Sequence, residues 1–420
     1  MNTFKSALDL SPMSTASLSF SMWDAVIALP VMVWVFGGQL LTADAYKILV
    51  GLSVLSFVIS GWRHGWVTMW QRLRGSGWLQ ALGLLLVMAA MYKEYNGGVS
   101  NGLLRGYAIA WLFFLALPRY VAAQLLARLE WFLLLMAIVL CVNAILYHYV
   151  WMMPRSRWVI NAIPFTTISA AIAILTLIRG IWPSNKVKLC LNTTAFVLSF
   201  NSLIIGQSRG TALAFLVALV GVLGYGWWRQ VGSMYRFWLM VGLMLGSLIV
   251  NMNAIVERSE ATQIEIEAIQ ANNTHTSIGI RLELWRASVH SLMESPWFGL
   301  GDQHQVHRQQ LANEGRIDQA IVRWDHYHNQ YIDTQIRRGV VGIALLALIL
   351  VGPFMGWRRW PLEAQLSAGA LVVVYTVAGL TDVPFDHVQP LLVFLVVVTL
   401  YERVHSTRHR GGQRPNNAAL

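Results

Sequence analysis

The chain has 420 residues, 56% of them hydrophobic and 12% charged, with a mean hydropathy of +0.52. Soluble domains carry roughly 25% charged residues, so this composition excludes a water-soluble globule and predicts an all-α, polytopic membrane protein. The net charge of +11 is not read as a nucleic-acid signal, because topology explains where most of the basic residues fall.

The chain opens with MNTFKSALDLSPMSTASLSFSMW, which has one lysine and no apolar core before Trp23. It does not read as a cleavable signal peptide, and the first hydrophobic span is expected to serve as the insertion signal. A spanning helix needs roughly 17–25 mostly apolar residues. Stretches near 23–41, 45–62, 78–93, 102–118, 128–151, 160–182, 187–206, 210–228, 235–253, 338–357, 364–381 and 386–402 fit that rule, which gives about twelve spans. With the N-terminus inside, 17 of the 31 basic residues fall on the inner side and only six in the short outer loops. That bias predicts both ends inside. Cys141 and Cys190 sit in apolar runs, so neither suggests a disulfide framework or a metal site.

The expected organisation is an inner tail (1–22), nine spans (23–252), an outer loop domain (253–337), three spans (338–404) and a basic inner tail (405–420) held near anionic lipid. In the loop domain, IVERSEATQIEIEAIQANN reads as an exposed helix ended by Asn272 and Asn273. A second helix follows, with Ile278, Leu282, Trp285, Val289 and Leu292 as its expected apolar face. Ser295–Pro296 stops it, and Gly299–Gly301 makes a turn.

Three polar clusters share the predicted outer face. The first is Gln207-Ser208-Arg209-Gly210, a break so short that Arg209 is held against the bundle. A snorkelling arginine is the competing reading. The second pairs Arg281 with Trp285, four apart on one helical face, where the guanidinium can stack on the indole or aim beyond it. The third is RWDHYHNQYIDTQIRR (323–338), with His326 and His328 among aromatic and hydrogen-bonding residues; an interfacial anchor would look similar. Two guanidinium groups suit a diphosphate. A histidine suits proton removal from a hydroxyl, with Asp325 or Asp382 to fix its tautomer. No DxD, HExxH, zinc-spaced Cys/His cluster or phosphate-binding Gly loop is found, and Ser208 lacks the strand–turn–helix setting of a GxSxG elbow. No metal or other cofactor is therefore expected, and the arginines can supply leaving-group stabilisation instead.

At these residues the chain resembles the O-antigen ligases (WaaL type) of the O-antigen ligase/polymerase superfamily. The resemblance rests on the SRG turn (Ser208–Gly210), RxxxW (Arg281, Trp285), PWFGLG (Pro296–Gly301) and HN (His328–Asn329). Their order and the large loop before the last three spans add to it. The resemblance implies a GT-C-like membrane fold with a helical periplasmic loop domain. It further implies a metal-independent, inverting glycosyltransferase of the bacterial inner membrane, with its active site facing the periplasm. Such enzymes move a glycan from undecaprenyl diphosphate to a sugar hydroxyl of lipid A–core. Carried over, Arg209 and Arg281 grip the diphosphate and His328 acts as general base. His326 is a second imidazole beside it, so which of the two is essential stays open. Asn329 and Trp285 join the substrate-binding set. Lys47, Arg105, Arg155 and Arg157 are candidates for phosphate contacts, and Asp382 and Asp386 for orienting a base or sugar. The rival functions are an O-antigen polymerase, a protein O-oligosaccharyltransferase and a polyprenyl-lipid or anion transporter. The gathering of polar residues at one face disfavours transport.

Overall fold

The computed structural model describes residues 21–182, 184–229, 232–271 and 273–406. The first twenty residues of the expected inner tail, the basic tail from residue 407 and Asn272 lie outside the described residues. Among the described residues all regular structure is helical. The α-helices are α1 (Met22–Phe36), α2 (Tyr46–His64), α3 (Trp66–Arg74), α4 (Gly77–Asn96), α5 (Asn101–Ala116), α6 (Arg119–Ala127), α7 (Leu129–Ile145), α8 (Ala162–Ile181), α9 (Lys186–Ile205), α10 (Arg209–Trp228), α11 (Met234–Val250), α12 (Met252–Gln270), α13 (Ser277–Ser291), α14 (Gln303–Asn313), α15 (Gln330–Val351), α16 (Leu362–Ala378) and α17 (Val388–His405).

This is an all-α, polytopic membrane protein. Among the described residues, eight helical stretches are long and apolar enough to cross a membrane alone, and up to eleven if each of three bent pairs counts as one span. The shorter apolar helix α16 occupies the place of the eleventh expected span. Two bends add helices that hydropathy did not reveal. Helix α3 meets α4 at 96° and α5 meets α6 at 108°. Ser76 starts α4 by accepting a hydrogen bond from the Leu79 N–H, while Pro118 opens α6. Trp66, Val67 and Trp70 are exposed on α3 beside Arg72 and Arg74, the pattern of a helix lying in the interface.

Helices α8 and α17 form the centre of the bundle, enclosed on nearly every side. Helix α8 is rich in Ala, Ser, Thr and Gly, which lets neighbouring backbones approach. Its hydroxyls bond back to their own helix: Thr166 donates to the Ala162 carbonyl at 2.8 Å, and Thr176 to that of Ile172 at 2.7 Å. Apolar side chains that stay exposed, such as Leu213, Leu216 and Val220 on α10, suit lipid contact. At the end opposite the loop segment, buried Arg179 bonds Glu130 (2.6 Å) and Glu363 (2.9 Å), tying α7, α8 and α16 together.

The segment between α11 and α15 is helical. Helix α12 turns 66° away from α11 at Asn251. Helix α13 forms where expected, but its buried face is Ile280, Leu284, Ala287 and Ser291. Leu282 and Val289, assigned to the apolar face from sequence, are exposed. Both sets have helical spacing; the partner surface, contributed by Ile321, Tyr327 and Ile336, selects between them.

Helix α15 starts eight residues before the expected span, at Gln330, and breaks at Gly339 (φ 63°, ψ −164°). The PWFGLG turn docks on this break. Leu300 and Gly301 N–H groups donate to the carbonyls of Ile336 and Arg337 (2.7 and 3.0 Å), and Val340 N–H donates to that of Pro296 (2.8 Å). A Cβ on Gly299 would stand 2.3 Å from the Arg337 carbonyl carbon, and one on Gly339 2.3 Å from Trp297 backbone. Both glycines also have positive φ, so two backbones meet there where no side chain fits.

Candidate active site

The His326–Asn329 turn is built by hydrogen bonds to its backbone. Arg308 of α14 donates to the Trp324 carbonyl at 2.6 Å and lies over the Tyr327 ring at 4.4 Å. His304 reaches the Asp325 carbonyl, and Trp285 donates its indole N–H to that of Tyr327 at 3.0 Å. Asp333 accepts from Tyr327 N–H at 3.1 Å. Asn329 caps α15, accepting from Tyr331 and Ile332 N–H and donating to the Leu380 carbonyl. Gln330 N–H donates to the Gly379 carbonyl at 2.7 Å, fastening the turn to the α16–α17 connection.

That connection brings an acid to the histidines. Asp382 Oδ1 lies 3.2 Å from His328 Nδ1, and Oδ2 lies 3.7 Å from His387 Nε2. Burial by itself would raise the Asp382 carboxyl, but the His328 hydrogen bond and the charges of His387, His326 and His328 hold it at about 2. His328 has φ +48°, a left-handed conformation for a non-glycine residue, and its N–H donates to His326 Nδ1 at 3.3 Å. Burial brings His326 down to about 4, against the pull of Asp382. The pattern gives the two imidazoles different chemistry. Asp382 orients His328 through Nδ1 and leaves Nε2 to take a proton; His326 is half-buried, neutral and occupied by the backbone of its neighbour.

The SRG turn stands next to this acid. A Cβ on Gly210 would lie 1.9 Å from Thr381 Oγ1, so this glycine lets the start of α10 approach the residue before Asp382. Arg209 then points along α12: Nη1 donates to Thr262 Oγ1 at 3.0 Å and Nη2 to Glu265 Oε2 at 2.7 Å. Arg258, one helical face with Thr262 and Glu265, lies 3.7 Å from Glu265 Oε1. Arg281 bends back to Ser277, donating to its carbonyl (3.1 Å) and hydroxyl (3.0 Å), while Trp285 points the other way, to Tyr327. Burial lowers the Arg281 guanidinium; Asp382 opposes this and Arg209 adds to it. Burial, then Arg258, Arg209 and Arg281, push Arg155 down to about 10, which leaves it charged at neutral pH. Arginines from four separate segments therefore feel one another's charge, and Arg281 also feels Asp382.

The remaining candidates are spread more widely. Lys47 is half exposed and pairs with Asp44 at 2.8 Å. Arg105 is half-buried on α5 and Arg157 is exposed. Asp386 ion-pairs Arg338 and accepts from Gln330 at 3.0 Å, facing the helix break instead of the imidazoles. Sequence reading overlooked Arg258, Glu265 and His387. The first two had a signal: with Thr262 they recur at i, i+4 and i+7 on a helix expected to be exposed. His387 ends the same TDVPFDH turn that holds Asp382, which was its signal, while its other neighbour, His326, comes from a distant segment.

The geometry also groups His326, Asp382 and His387, whose ligand atoms lie within 4.8 Å of one another. Donor types of this kind suit a divalent transition ion, and Asp382 Oδ2 lies 3.7 Å from His387 Nε2.

Comparison with known proteins adds the remaining information. The family described as O-Antigen ligase matches residues 194–347, a stretch that holds Arg209, Arg281, His326 and His328 and stops short of Asp382. An uncharacterized protein of Haemophilus influenzae is 23% identical over 194 residues, covering 40% of this chain and 49% of the relative. The chain thus spans about half the length of the relative it matches.

Proposed function

We propose that this chain, which belongs to the O-antigen ligase superfamily, is an O-antigen ligase. In this reading it moves a glycan from undecaprenyl diphosphate to a sugar hydroxyl of lipid A–core, at the periplasmic face of the inner membrane. The family supports a ligase- or polymerase-type transfer, and the choice of donor, acceptor and membrane side is our inference. The observation that carries it is the pairing of an Asp382-oriented His328 with Arg281, which feels the same carboxylate and shares the electrostatic cluster of Arg155, Arg209 and Arg258.

The reaction follows from these placements. Asp382 accepts the Nδ1 proton of His328 in a hydrogen bond, so Nε2 is free to take the proton of an acceptor hydroxyl. The deprotonating oxygen attacks the anomeric carbon from the face opposite the diphosphate, and the glycosidic bond to phosphate breaks with inversion. Arg209 and Arg281 stabilise the departing diphosphate with forked, permanently charged donors. No step needs a cation, because guanidinium groups supply the charge. Both substrates are lipids, so binding at a membrane surface brings their reacting groups together and positioning does much of the work.

The test is a reconstituted assay with a lipid-linked donor and one acceptor at a time. Transfer to lipid A–core is expected. Exclusive transfer to a second lipid-linked glycan would make the protein a polymerase, and exclusive transfer to a peptide hydroxyl an oligosaccharyltransferase.

A further inference from the structure

One acidic side chain makes ion pairs within the arginine cluster. Glu265 on α12 is 15% exposed and holds Arg209 at 2.7 Å through Oε2, while Oε1 faces Arg258 at 3.7 Å. The Nε atoms of Arg155, Arg258 and Arg281 are buried and have no hydrogen-bond partner. Glu265 thus ion-pairs two of four neighbouring guanidinium groups, while Asp382 acts on Arg281 and Glu257 on Arg258 only through their charge, and three buried donors stay unused. Thr262, one turn before Glu265, holds the other Nη of Arg209 at 3.0 Å. A buried, unsatisfied donor carries a desolvation cost that an anionic ligand would remove. The arrangement has the charge and the spare donors for something more negative than a carboxylate.

We propose that Glu265 is the resident counter-ion of the donor site: it holds Arg209 and Arg258 in the empty protein and gives way to the diphosphate of a polyprenyl donor. The inference rests on the proposed function, since it assigns this pocket to the donor. A carboxylate brings one negative charge and two oxygens, whereas a diphosphate ester brings more of both, so the exchange satisfies Arg155, Arg258 and Arg281 as well. Until then Glu265 offsets the mutual repulsion of the arginines. Glu265 thus sets donor affinity by competition and takes no part in the bond changes.

The experiment measures binding of glycan-free undecaprenyl diphosphate to the full-length protein in nanodiscs. Glu265→Gln removes the competing charge and is expected to bind about tenfold more tightly than wild type, the effect of one charge-assisted hydrogen bond. Glu257→Gln removes an equal charge from the same helix, where it bonds Gln207, and is expected to change affinity by less than about twofold. Adding Arg209→Ala to Glu265→Gln should abolish the gain. Where Glu265→Gln fails to fold, Glu265→Asp withdraws the carboxylate by one methylene, with roughly threefold tightening expected. Unchanged affinity in a folded Glu265 variant, or equal tightening in Glu257→Gln, overturns the inference and leaves the proposed function standing. A wild-type protein that does not bind undecaprenyl diphosphate overturns both.

Discussion

Replacing Asp382 with Asn keeps the shape of the α16–α17 connection and removes one charge. The carboxylate lies 3.2 Å from His328 Nδ1 and is held at about 2, against an ordinary 3.8. That difference corresponds to roughly 2–3 kcal/mol favouring the carboxylate beside its three imidazoles, after the opposing cost of burial. An imidazolium forming on His328 in the transition state draws on part of that attraction, so its loss slows transfer by up to roughly 10²-fold. An amide can also stabilise the wrong tautomer, which in hydrolytic triads brings the loss to about 10⁴-fold. We expect kcat to fall by about 10²–10⁴-fold with donor KM little changed, measured with purified lipids between pH 6 and 9. A folded Asp382→Asn protein with kcat within about threefold of wild type would refute the reasoning. Stability supplies a second readout. The folded-state value lies below the unfolded one, so the carboxylate's stabilisation is complete above 3.8 and lost as pH falls through about 2. The gap in stability between wild type and variant should close over that window.

Further expectations follow from the same geometry. His326 is held at about 4, below its ordinary 6.5, so its contribution to stability is complete above 6.5 and lost as pH falls through 4; His326→Gln should flatten the acid-side fall in melting temperature. Trp285→Phe loses the bond to the Tyr327 carbonyl and should lower kcat by about tenfold with donor affinity retained; an equal loss of donor affinity would place Trp285 on the substrate. Gly339→Ala forces a Cβ to 2.3 Å from Trp297 backbone and should destabilise the protein by about 2–4 kcal/mol, read by thermal denaturation. Activity should survive a chelator; loss restored by zinc would assign His326, Asp382 and His387 a catalytic cation.

The sequence by itself determined that the chain crosses a membrane many times, because apolar stretches of spanning length are a local property of composition. Each expected span has a helix, and the loop segment is helical with its glycine turn where expected. Arg209 could be singled out because an ionisable group held at a membrane edge is costly; Arg281 stood with Trp285 on one helical face, and the choice of His328 over His326 rested on the resemblance. Tertiary structure decided everything that depends on a partner. It rotated the buried face of α13 onto Ile280 and Leu284, because another surface had to receive it. It bent α3 from α4 and broke α15 at Gly339, where backbone meets backbone. It gave Asp382 to His328 and Asp386 to Arg338, although the two acids stand four residues apart in the same turn. Hydropathy reports the solvent each residue prefers, and it carries no record of which distant residue that preference brings alongside.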